Sequence, residues 1–287
     1  MVGTIPVGEG VRRISIEGAG GDINIYSEEG NEIRYTLGEN LELSSEVIDD
    51  KLVIRIFGKG LVGFPFFSFG GHNGDIELHI PQDKSIDLNI KSGDMGFSKY
   101  RGDEISIKAA SGDVSIENLI CNSFKAHLTS GDIDIDLSTK NGNINCRAGD
   151  IRIKLRGEGW NMDISGVSGD VDIDTESNSI DIDIRGINGD VSMNGNHLGS
   201  GIFKTKHLVT NGGRNKLKIN IVSGDVSITT GEGTEELNIR EEKTGPYIPE
   251  EVKKVKEMYS AGKITKEDAI KLIEVMGYED LTNLLEE

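Results

Sequence analysis

Tryptophan occurs once in 287 residues, proline five times, and aromatic residues make up only 5% of the chain. So little aromatic bulk points away from a thick globular core. The scarcity of proline excludes collagen-like repeats and a proline-rich linker. Two cysteines, Cys121 and Cys146, cannot make a disulfide framework. Cys146 lies in the alternating run Ile144-Asn145-Cys146 and reads as a small core residue, with Cys121 a candidate for the same role. No run approaches 18 apolar residues, so no helical membrane span is expected. The start, Met-Val-Gly-Thr-Ile-Pro, carries neither the basic nor the apolar region of a signal peptide. Basic residues are also short, 31 against 49 acidic ones, for a formal charge of -18. Such a surface repels phosphate backbones and anionic lipid, so no nucleic-acid partner is expected.

Glycine, by contrast, is abundant, at 38 residues. Much of it sits in a repeated unit: Ser-Gly-Asp-Val-Ser-Ile at 111–116, Ser-Gly-Asp-Ile-Asp-Ile at 130–135, Ser-Gly-Asp-Val-Asp-Ile at 168–173, Asn-Gly-Asp-Val-Ser-Met at 188–193 and Ser-Gly-Asp-Val-Ser-Ile at 223–228. The glycines at 74, 93, 112, 131, 149, 169 and 189 are 19, 19, 19, 18, 20 and 20 positions apart. A fixed period of this length marks a repeat architecture. After each Gly-Asp the apolar residues fall on alternate positions, as in Ile133 and Ile135 or Val171 and Ile173. A second alternating run precedes the next unit, for example Phe124-Lys125-Ala126-His127-Leu128. Period two makes both half-buried strands. Stacking the units as coils about 4.8 Å apart buries one aliphatic column, which a thin core can satisfy.

The spacing predicts an all-β protein, a β-solenoid of about 19-residue turns, with a small helical appendage. Residues 1–244 form the solenoid, irregular over 1–73 and regular over 74–244. The interval from Gly189 to Gly224 fits two turns, one of them irregular, and the solenoid then finishes with Leu217-Lys218-Ile219-Asn220-Ile221, the Gly224 unit and Leu237-Asn238-Ile239. Two positions past the repeat aspartate, Asp134, Arg152 and Asp172 form a column; four past it, Asp136, Lys154 and Asp174 do the same. Opposite charges on neighbouring strands favour this register by a few tenths of a kcal/mol each. Residues 245–287 change grammar. Val252, Val255, Met258 and Tyr259 form one helical stripe, and Thr265 with Asp268 resembles a capping box before Ala269, Leu272 and Ile273. Leu281, Leu284 and Leu285 suggest a third short helix.

Between Gly58 and Asn73 four of the chain's eight phenylalanines cluster, Phe64, Phe66, Phe67 and Phe69, without alternation and around Pro65. They form the candidate contact loop. One reading folds it over the solenoid, and the other inserts it into a partner, a second subunit or a membrane surface.

Catalytic chemistry finds less support. The corner aspartates raise a calcium hypothesis, but the chain lacks the paired glycine-rich corners of calcium β-rolls and any EF-hand, so structural corners are favoured over specific calcium binding. Polysaccharide hydrolysis needs one converging carboxyl pair, whereas these acids are evenly spread, and Trp160 is the sole tryptophan to stack on a sugar. His72, His79, His127, His197 and His207 have no zinc-like spacing. No nucleophile elbow, Walker loop or dinucleotide fingerprint occurs. No catalytic residue, metal or cofactor is assigned.

The Gly-Asp-[Ile/Val]-x-Ile units at 112–116, 131–135, 169–173 and 224–228, with the helical tail, resemble the prokaryotic adhesin-like β-strand-repeat ("putative adhesin") family from about Ile14 to Ile239. The resemblance implies a β-solenoid without catalytic residues and, through some relatives, a link to cell-envelope stress and antimicrobial-peptide sensing. Together these readings predict a non-enzymatic structural or protein-interaction scaffold that self-associates or binds another protein. The alternatives are a glycan-binding or carbohydrate-active β-helix and a peripheral membrane-associated stress sensor. With no signal peptide or span visible, the location reads as cytoplasmic, with the membrane surface or cell envelope as the other option.

Overall fold

The computed structural model describes residues 1–18, 20–59, 75–200, 206–231, 237–241, 250–260 and 262–275. They belong to two compact units, Met1–Arg240 and Glu241–Glu287.

In the first unit, alternation in sequence becomes alternation in burial. Along Ile133–Ser138 the side chains of Ile133, Ile135 and Leu137 are buried while Asp134 faces out. The strands assemble into two open sheets of twelve. A Gly-Asp corner joins one strand of each sheet into a layer. The Gly131 layer, for example, is Ser123–Ser130 followed by Ile133–Ser138. Successive layers pair in parallel with inward-facing apolar residues in register: Ile107, Ala126 and Ile144 in one sheet, Ile133, Ile151 and Val171 in the other. The apolar faces of both sheets meet in a continuous core of isoleucine, leucine and valine. The fold is thus all-β with two short helices, and solenoid-like in its stacking.

The order of layers departs from the order of the chain. Along the stack the corners run Asp75, Gly21, Gly93, Gly112, Gly131, Gly149, Gly169, Gly224 and Gly189. The expectation that the Gly224 unit follows the Gly189 layer at the finish is therefore corrected: its strands, Asn215–Ser223 and Val226–Thr229, lie between the Gly169 and Gly189 layers, while Leu237–Glu241 does end its sheet. The link Glu176–Ser179 steps over that slot, and the excursion after Gly189 is two antiparallel strands, Asn196–Ser200 and Lys206–Thr210, laid on the outermost layer. At the other end Arg13–Gly18 and Ile23–Glu28 fill a slot inside the later Asp75 layer. Leu41–Ile48 covers one strand of that layer, while Glu32–Leu37 and then Val2–Pro6 cover the other, all antiparallel. Reversing strand direction at both ends interrupts the parallel register that a further layer would extend.

Asn215 fixes the step-over. Its side chain is fully buried, and Oδ1 accepts from the backbone N–H of Gly159 at 2.6 Å and of Trp160 at 3.2 Å. Its amide nitrogen donates to Ser177 Oγ at 2.7 Å and to the Ser179 carbonyl at 2.9 Å. Both ends of one amide thereby join the entry to the Gly169 layer, the step-over link and the inserted strand. A buried amide is tolerated when every partner is met, and then it specifies one arrangement.

In the second unit, helices span Glu250–Ser260 and Lys266–Val275, separated by Gly262 at φ +67°. The Asp268 N–H donates to Thr265 Oγ1 at 3.2 Å, and the Thr265 N–H to Asp268 Oδ2 at 3.4 Å, closing the capping box. Val255 and Ala269 are buried; Met258 and Leu272 are exposed. The third helix read over Leu281–Leu285 lies outside the described residues.

Candidate interaction surfaces

The corner residues are the first candidates. Each corner glycine from Gly93 onward holds a positive φ, and a Cβ on it would stand 2.6–2.7 Å from the carbonyl carbon of the adjacent corner glycine. Beside them Asp22 accepts from the backbone N–H of Asp94, and the pattern continues through Asp113, Asp132, Asp150, Asp170, Asp225 and Asp190, at 2.8–3.0 Å. The ladder follows the spatial order, inserted layer included. Its carboxylates are held by backbone donors and open to solvent, which answers how like charges stack at this spacing. Among the described residues no group of three or more His, Cys, Asp or Glu side chains is arranged to hold a metal ion.

The face carrying Ile133–Ser138 presents the two charge columns. Asp134, Arg152 and Asp172 are in register, as are Asp136, Lys154 and Asp174. Arg152 lies 3.3 Å from Asp150 and 3.8 Å from Asp172. Asp136 is gripped at both oxygens by Arg156, at 2.6 and 2.5 Å, a partner the column pattern did not reveal. The inserted layer places Ser227 and Thr229 next in these columns, and Ser192 of the Gly189 layer follows Ser227. Asp134, Arg152, Lys154, Asp172 and Asp174, with Ser227 and Thr229, line an open depression of about 340 Å³ with charges of both signs. Its acids alternate with bases, so no carboxyl pair is isolated for acid–base work.

On the opposite sheet Arg13 bridges Asp87 and Glu104, both at 2.8 Å, and Lys125 reaches Glu104 at 2.7 Å. Hydrogen bonds from Lys125 and Arg13 hold the Glu104 carboxyl below its ordinary pKa. His79 stacks on Tyr26 at 5.2 Å and contacts Glu77 at 2.8 Å; His207 contacts Asp183 at 2.9 Å. His127 faces outward between buried Ala126 and Leu128, as its alternation indicates.

Trp160 is only 1% exposed and offers no platform to a sugar. Both cysteines are buried, and burial pushes the Cys121 thiol up to about 11. Phe64, Phe66, Phe67 and Phe69, the contact loop read from sequence, lie outside the described residues. Asn215 was missed because a lone asparagine within an alternating strand carries no local signal of burial.

A family model described as Toastrack DUF4097 matches residues 11–154 and again 91–229, together about three quarters of the chain. No curated protein matches. Among solved structures, a "putative cell adhesion protein" from Clostridium sporogenes is 16% identical with a TM-score of 0.32, over 80% of this chain and 99% of that one. A "putative adhesin" from Bacteroides fragilis is 12% identical with a TM-score of 0.39, over 80% and 96%. A "putative lipid binding protein" from Parabacteroides distasonis is 14% identical with a TM-score of 0.41, over 81% and 96%.

Proposed function

The chain belongs to the Toastrack DUF4097 family, and from that premise we propose that it is a non-enzymatic scaffold, a stack of about 19-residue turns that works by presenting its outer faces to partners. The observation that carries this reading is the corner ladder. The acids that recur with the period are engaged by backbone N–H groups, so the most repeated chemistry in the sequence is spent on holding layers together. The partners are a second copy of the chain or another protein, in a cell-envelope or stress setting. Calcium calorimetry with melting curves tests the ladder's assignment: no saturable isotherm is expected, and a micromolar one that raises the melting temperature would refute it. Light scattering over a range of concentrations tests association, with a species larger than one chain expected. A single-chain mass at every concentration would remove self-association.

The membrane-surface reading rests on Phe64, Phe66, Phe67 and Phe69 alone. Liposome flotation of the chain and of a variant with all four changed to serine decides it. No helix among the described residues is long and apolar enough to cross a membrane.

A further inference from the structure

In a chain of charge -18, one band of surface contains no acid. It lies on the outer face of the sheet that carries Ser123–Ser130. One column runs in register from Asn89 through Lys108, His127 and Asn145 to Arg185; the column two positions further along the strands carries Lys91 and Arg147. Neither column holds an Asp or Glu in any of the seven layers from Gly93 to Gly189. Lys91, Lys108, His127, Arg147 and Arg185 are all exposed.

Most cations around this band are paired, Lys216 being an exception among the described residues. Elsewhere on the same face Arg13, Lys51, Lys125 and Lys218 each lie within 4.0 Å of a carboxylate. Lys91, Lys108, Arg147 and Arg185 have no such partner among the described residues. The first and last of them are six layers apart, roughly 29 Å along the stack at the usual strand spacing. Between them lie the polar side chains of Asn145, Ser165, Asn220 and Thr129, together with Ala110 and the exposed Val167 and Val222.

We propose that this band binds an extended acidic polysaccharide, a polyuronate chain lying along the stack axis. Four cations without carboxylate partners among the described residues, spread over two adjacent columns and seven layers, complement a flexible polymer that carries many carboxylates. The amides and hydroxyls between them suit its sugar hydroxyls. The band has no outward Phe, Tyr or Trp on which a nucleobase would stack, which separates a polyuronate from a single-stranded nucleic acid of similar charge. The proposal rests on the reading of the stack as a scaffold that binds through its outer faces, and it names one partner class for one face.

The test is calorimetry of the full chain with polygalacturonate, with neutral dextran and a single-stranded oligonucleotide as comparisons. Saturable binding of polygalacturonate alone is expected. Replacing Lys91→Gln, Lys108→Gln, Arg147→Gln and Arg185→Gln together weakens it roughly tenfold or more, by the sum of four exposed charge contacts. A variant with equal charge change on other surfaces, Arg34→Gln, Arg152→Gln, Lys154→Gln and Arg156→Gln, keeps affinity within about twofold. Circular dichroism and melting curves establish that both variants fold. No saturable binding by the unaltered chain, equal losses in both variants, or tighter binding of the oligonucleotide would each overturn the proposal. Failure here leaves the light-scattering result untouched, so loss of this partner and loss of the scaffold reading are told apart.

Discussion

Replacing Gly131 with alanine isolates what the stacked corners contribute. Gly131 sits at φ +125°, in a region that side chains rarely enter, and a Cβ there would lie 2.7 Å from the Gly112 carbonyl carbon and closer still to its oxygen. The conformational part costs about 1–3 kcal/mol. The steric part acts on backbone locked between layers, so relief requires the layers to separate, at about 1–3 kcal/mol more. Gly30 provides the comparison: its φ is +128°, but a Cβ there meets nothing within 4 Å, so Gly30→Ala carries the first part alone. Gly10→Ala, with open space and no positive φ, is near neutral. Urea unfolding followed by the fluorescence of Trp160, buried two layers away, ranks the three. Equal loss for Gly131→Ala and Gly30→Ala would refute the claim that layer contact, rather than φ, makes the corner glycine necessary.

Removing the ladder acceptor by Asp132→Ala lowers stability by about 1 kcal/mol, while Asp132→Asn, which keeps an acceptor oxygen, loses less than half of that; thermal melting compares them. Asn215→Ala leaves the buried Trp160 N–H without its partner, removes the bond to the Gly159 N–H and costs about 2–4 kcal/mol, with hydrogen exchange rising first in residues 215–229. The pH dependence has a definite sign. The folded-state pKa of Glu104 is depressed by Lys125 and Arg13, so its contribution is present above the unfolded value of about 4.3 and is lost as pH falls through the lower folded value. Glu104→Gln therefore flattens the acid limb of the stability curve measured by urea titration at successive pH values.

The strands and their inward faces were legible because two simple codes coincide. Period two sorts Ile133 and Ile135 from Asp134, and a glycine that must turn recurs at one strand-pair length. The Toastrack match agrees with the resemblance those units carried. The order of layers was not legible. Gly169 and Gly189 are 20 positions apart, the spacing of ordinary neighbours, although the chain steps over a slot between them. What decides the matter is a set of hydrogen bonds to Asn215 across as many as 56 positions, which no local pattern records. Likewise Lys154 occupies the register beside Asp136, yet Arg156, with a longer reach and two donors, takes both its oxygens. The band without acids escaped notice because its columns gather single residues from strands 18 to 55 positions apart, and each alone looks like a solvated surface residue.

The inserted layer also bears on the order of synthesis. Residues 180–193 leave the ribosome before residues 215–229, at a time when the Gly169 layer still shows an open edge with matching register. A stack built by adding each turn as it emerges would place Gly189 directly on Gly169. The finished molecule requires that pairing to wait, or to be undone when the later segment arrives. Winding in chain order from one end to the other cannot produce this architecture; the Gly189 layer has to close over a layer that is synthesised after it.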